Sequence, residues 1–115
     1  MALQEGFVIL ISSDGLGRGD DELGRLLMQR FLHELGGVDQ KPDEMLLLNN
    51  GVKLVVDESP VLEQLQRLEA QGVELRACST CLDRFGLMDR VAVGNRTNMG
   101  DIVGTLTRAG KVVTL

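Results

Sequence analysis

Cys78 and Cys81 are the only cysteines in the chain, and both fall in one stretch, Val73-Glu-Leu-Arg-Ala-Cys-Ser-Thr-Cys-Leu-Asp-Arg-Phe-Gly86. Val73, Leu75 and Ala77 alternate with Glu74 and Arg76 as a strand does, and Thr80 to Phe85 runs without a breaker until Gly86. The pattern predicts Cys78 at the carboxyl end of a strand and Cys81 in the first turn of a helix. Open backbone N–H groups and the helix dipole at such a junction favour a thiolate over a thiol. Cys78 is therefore the candidate nucleophile, with the N–H groups of Ser79, Thr80 and Cys81 as its stabilising donors.

The C-x-x-C spacing leaves several chemistries open. A zinc knuckle needs four ligands and the chain supplies two, so no metal site is expected within one subunit. A dithiol redox centre has the right local geometry. A persulfide carrier needs one activated thiol at a pocket mouth, and a second thiol nearby would release the bound sulfur as a disulfide forms. The plainest alternative is two cysteines packed as small hydrophobes.

Other chemistry-bearing residues are sparse. His33, the only histidine, lies late in a helical pattern on its polar side, away from the thiols, and reads as surface rather than base. Gly15-Leu-Gly-Arg-Gly19 joins a strand to a helix. Its G-x-G-x-G spacing fits neither the dinucleotide fingerprint nor the P-loop, and Asp14, Asp20 and Asp21 surround it with only Arg18 opposed. It reads as a structural turn, and no cofactor is expected. Arg84 adds positive potential near the thiols, or pairs with Asp83, or is solvated.

The elements that must hold the thiols alternate. Phe7–Ile11 is a continuous apolar run of strand length. A helix follows from Asp20, its cap, to Gly36, with Leu23, Leu27, Phe31 and Leu35 as the expected buried stripe and Leu32 beside them. Met45–Leu48 is the second strand, ended by Asn49-Asn50-Gly51, and Val52–Val56 reads as a short helical piece. Ser59 and Pro60 then open a helix with Leu62, Leu65 and Leu68 buried, closed by Gly72. Val73–Ala77 is the third strand and Val91–Val93 the fourth. Asn98 caps a last helix through Leu106, and Val112–Leu115 is an edge strand.

This alternation predicts a three-layer α/β/α domain over residues 1–115 with a five-stranded, mostly parallel sheet. Ligands of such sheets bind at the carboxyl ends of the strands. That edge should gather Cys78 with Asn49, Asn50 and Asn95, neutral side chains suited to lining a pocket.

Length and charge bound the rest. At 115 residues the chain makes one domain, and three Phe with no Trp or Tyr leave an aliphatic core. Few aromatics and a net charge of −5 argue against nucleic acid. The opening Met-Ala-Leu-Gln-Glu-Gly has no secretory pattern and no apolar run approaches a membrane span, so a cytoplasmic protein is expected.

Four segments together, Ile11–Gly24, Asn49–Leu54, Gly72–Asp83 and Asn98–Val103, resemble the DsrE-like sulfur-relay domains, and within them the YedF-type branch linked to selenium metabolism. The resemblance spans almost the whole chain. It implies a DsrE/F-type fold, homo-oligomerisation, and a cysteine after the third strand, Cys78, that carries sulfur as a persulfide; Cys81 corresponds to the second cysteine of the YedF-type version. YedF-type proteins usually begin with a TusA-like domain bearing its own cysteine, whereas this chain starts at the DsrE-like part. Either the chain is a stand-alone homologue or it is an isolated domain, and the partners the resemblance implies are sulfur-donor and sulfur-acceptor proteins, a TusA-like donor among them.

Overall fold

The computed structural model describes residues 6–115; residues 1–5, on which the reading of no secretory signal largely rests, lie outside them. Phe7–Ile11 forms β1, and it can sit inside a sheet because apolar side chains suit both of its faces. Asp21–Leu35 forms α1, capped by the Asp20 carboxylate accepting from the Leu23 N–H at 3.0 Å. After β2 (Glu44–Leu47), a 3-10 helix spans Asn49–Leu54 and α2 spans Leu62–Ala70. β3 (Glu74–Cys78) runs directly into α3 (Ser79–Arg84). β4 (Asn95–Thr97), α4 (Met99–Arg108) and β5 (Lys111–Thr114) complete the chain, with Asn98 capping α4 through the Asp101 N–H at 2.8 Å.

All five strands are parallel, in the order β4-β3-β2-β1-β5. From β1 to β4 the chain steps one way across the sheet, so right-handed crossovers put α1 and α2 on one face. The connection from β4 to β5 returns past three strands and places α4 on the other. Arg108 and Asp101 of α4 accordingly act on Glu44 and Arg76, which the ladder register places on one face of the sheet.

Three sequence expectations are corrected. The buried stripe of α1 is Gly24, Met28, Leu32 and Leu35, while Leu23 and Leu27 are exposed. Gly24 marks the packed face: its carbonyl accepts from Leu16 N–H at 2.9 Å, and a Cβ there would meet the Leu16 carbonyl oxygen at 3.1 Å, a tight contact that favours glycine where the loop lies on the helix. The same contact fills the role of the Gly15–Gly19 segment, a turn braced on α1. The fourth strand is Asn95–Thr97 rather than Val91–Val93; Val91 instead makes an isolated antiparallel bridge to Val56. Gly94, at φ 77°, bends the chain against the Leu75 carbonyl, where a Cβ would come within 2.6 Å, and the strand starts only after that bend. Lastly, α2 begins at Leu62, and Ser59 serves a preceding turn in which its hydroxyl accepts from Val61 N–H.

Candidate functional site

Cys78 ends β3 and Cys81 lies one turn on in α3, as the spacing predicts. β3 and β4 send their carboxyl connections to opposite faces, so the junction at which Cys78 pairs with Thr97 is the switch point of the sheet, the kind of position where open α/β sheets bind ligands. Sequence reasoning missed Thr97. Its hydroxyl is buried without a hydrogen-bond partner, and no spacing signal marks it.

The expected open mouth at Cys78 is absent. Its exposure is 0%, and it belongs to the continuous aliphatic core with Ala77, Leu75 and Leu82. The physical reason is local: Cys78 is still a strand residue, held flat in the ladder against Thr97, and its side chain faces sheet packing rather than the edge. Cys81 is the accessible thiol. It is partly exposed, packs against the core edge, and its Sγ accepts the Asn49 backbone N–H at 3.1 Å.

The bond lies at an uncommon backbone conformation. Asn49 has φ 50°, the left-handed region that Asn tolerates better than most residues, and the chain turns there into the 3-10 helix. Gly51 then lets the 3-10 helix seat on the sheet, since a Cβ there would collide with the Ile11 carbonyl oxygen. Lys53 leaves the same 3-10 helix to lie over the Phe85 ring at 4.5 Å, tying it to the end of α3.

At Cys81 the electrostatics run against a thiolate. Burial pushes the Cys81 thiol above its ordinary range; the Asn49 N–H pulls it down, and the adjoining Cys78 thiol pushes it up again. α3 is only six residues long, so its dipole contributes little.

The remaining predicted site residues divide. Ser79 is half-buried and Thr80 exposed, both in the first turn of α3 beside the thiols. Asn49 reaches the site through its backbone, with its side chain exposed. Asn50 turns away to line a hollow of about 280 Å³ with Ser13, Asp14, Asp21 and Arg25, which neither cysteine lines. Asn95 is corrected: it opens β4 opposite Arg76, short of the carboxyl edge, and lines a separate hollow with Met88, Asp89 and Arg96. His33 is exposed in the last turn of α1, and Arg84 is exposed. Among the described residues no cluster of three or more His, Cys, Asp or Glu could hold a metal ion.

No protein-family model matches the sequence, and no curated protein sequence does. Solved structures do. YchN from E. coli superposes with a TM-score of 0.74 at 20% identity, covering 96% of this chain and 99% of that one. The fold is DsrE-like. A protein of unknown function from Methanobacterium thermoautotrophicum matches with a TM-score of 0.72 at 22% identity over 96% of this chain and 99% of its own. Another, from Bacteroides thetaiotaomicron, matches with a TM-score of 0.68 at 13% identity over 100% and 99%. In this DsrE-like frame the cysteine pair occupies the end of the third strand, at the sheet's switch point.

Proposed function

We propose that this protein is a sulfur carrier that holds a persulfide on Cys81 and passes its outer sulfur to an acceptor thiol. The observation that carries this reading is a partly exposed thiol at the carboxyl edge of a DsrE-like sheet, its sulfur already accepting a backbone N–H. In loading, the Cys81 thiolate attacks the outer sulfur of a donor persulfide; the donor leaves as a thiolate and takes up the proton. In transfer, the acceptor thiolate attacks the outer sulfur now on Cys81, and Cys81 is the leaving group. The Asn49 N–H donates to that same sulfur when it bears charge, so it assists both directions. Ser79 and Thr80 open the same turn of α3, where the first N–H groups have no intrahelical partner.

The donor and acceptor carry thiol sites of their own, a TusA-like donor being one fit, and the reading places the chain in the cytoplasm, where thiols stay reduced. No helix among the described residues is long and apolar enough to cross a membrane. Leu23, Leu26 and Leu27 form an exposed apolar face on α1 suited to a second copy of the chain. The YedF-type assignment, with selenium as an alternative cargo, rests on the resemblance of the four segments alone.

Treating reduced protein with inorganic polysulfide and measuring intact mass tests the reading. One added sulfur on wild type, lost in Cys81→Ala, is expected. No addition, or undiminished addition to Cys81→Ala, overturns it.

A further inference from the structure

Cys78 has no role in the transfer just described, yet it is the side chain placed directly behind the carrier. It closes β3 and precedes α3, and Cys81 follows at the i+3 position, packed on the same core. Cys78 is among the side chains that act directly on the Cys81 thiol, and a C-x-x-C pair whose first thiol precedes a helix has the arrangement of dithiol redox centres, which close to a disulfide within the folded chain. Cys78 is also sealed from solvent, so no donor or acceptor protein reaches it. Its only accessible reaction partner is whatever Cys81 carries.

We propose that Cys78 is an internal releasing thiol, which converts the persulfide on Cys81 into free hydrosulfide when no acceptor arrives. This rests on the carrier reading of Cys81. The Cys78 sulfur attacks the inner sulfur of the Cys81 persulfide; the Cys78–Cys81 bond forms as the bond to the outer sulfur breaks. The electron pair leaves with the outer sulfur, which takes the Cys78 proton and departs as hydrosulfide. The sulfane sulfur is reduced by two electrons, and the two cysteines are oxidised to a disulfide. No outside oxidant enters, and a dithiol reductant returns the pair to the starting state.

Three features favour this over a merely packed cysteine. The inner sulfur of the persulfide is the Sγ that accepts the Asn49 N–H, which holds it in place while the outer sulfur leaves. Thr97, the register partner of Cys78 on the neighbouring strand, has a buried hydroxyl without a hydrogen-bond partner, so an uncommitted donor lies next to the strand position of Cys78. And the attack is intramolecular, so burial of Cys78 costs it no access while excluding competing thiols.

The test uses full-length protein, reduced, loaded with inorganic polysulfide under anaerobic conditions and freed of excess reagent. The chain one sulfur heavier should decay to a chain two hydrogens lighter than the reduced form, with one hydrosulfide released per loaded chain and a disulfide mapped between Cys78 and Cys81. Cys78→Ala should load equally, keep its sulfur, and lose the hydrosulfide release. Loading of both proteins with the sulfur retained in both, or released equally from both, overturns this proposal and leaves the carrier reading standing. Failure of wild type and Cys78→Ala alike to gain sulfur or form the disulfide overturns the carrier reading itself. If Cys78→Ala does not fold, the wild-type mass change and disulfide map decide alone.

Discussion

The backbone N–H of Asn49 points at Cys81 Sγ from 3.1 Å, across a gap of 32 residues in the chain. This contact joins the end of the second strand's turn to the first turn of α3, and it distinguishes the two thiols: Cys81 is tuned from outside the C-x-x-C segment, whereas Cys78 is enclosed by the core.

Alkylation should therefore be ordered. In folded protein, iodoacetamide modifies Cys81 first, and Cys78 reacts only on unfolding, as peptide mapping would read. Because burial raises the Cys81 thiol, its rate at pH 7 should fall below that of a free cysteine and climb in the alkaline range above about 8.5, the ordinary thiol value. The sign for stability follows: the protonated thiol is favoured in the fold, so its contribution is intact below that value and lost as pH rises through the folded one. Equal labelling of both cysteines would contradict the assignment of Cys81 as the accessible thiol.

Asn49 offers a backbone test, since its side chain is exposed. Asn49→Gly keeps the left-handed turn and should leave stability and Cys81 reactivity near wild type. Asn49→Val places a β-branched residue at φ 50° and should lower stability by about 1–2 kcal/mol. Denaturant midpoints together with the alkylation rate check both; equal behaviour of the two variants would mean the turn does not position the N–H.

Glu44 provides a pH-dependent stability change. It is 7% exposed, and its Oε1 lacks a hydrogen bond although Arg76 Nε stands 3.3 Å away. Burial pushes its carboxyl up, with Arg76 opposing. A raised acid favours its neutral form in the fold, so stability is complete below the unfolded value and declines as pH rises through the folded one. Glu44→Gln should then stabilise at pH 7 by about 1 kcal/mol, with the difference vanishing below about pH 4. Arg76 is not stranded by the change, because it keeps Glu74 at 2.7 Å. Destabilisation at pH 7 would show that the Arg76 pair outweighs the burial of the charge.

Assembly is tested on α1. Leu23→Glu with Leu27→Glu replaces two exposed side chains, 49% and 42% accessible, so little folding stability is at stake. Light scattering after size exclusion should show wild type larger than one chain and the double variant as a monomer. A wild type that is already monomeric at micromolar concentration would remove this face as an interface.

Local rules made much of the fold legible. Phe7–Ile11 had to be a buried strand, Asp20 and Asn98 had to be caps, and the alternating run into Cys78 had to end a strand, because each depends on neighbours within a few residues. Other features depend on residues far apart, and periodicity does not rank them. α1 carries two apolar stripes a fraction of a turn apart, and the contact of Leu16 with Gly24 marks the one containing Met28 as the packed face. The polar triplet Asn95–Thr97 became a strand because an edge position leaves room for solvated side chains, while apolar Val91 was drawn to Val56. C-x-x-C fixed that two thiols would meet at a strand–helix junction. Which of them faces solvent was decided only when β4 paired with Cys78 and the Asn49 turn closed on Cys81, since exposure belongs to the packed surface and not to the spacing of residues along the chain.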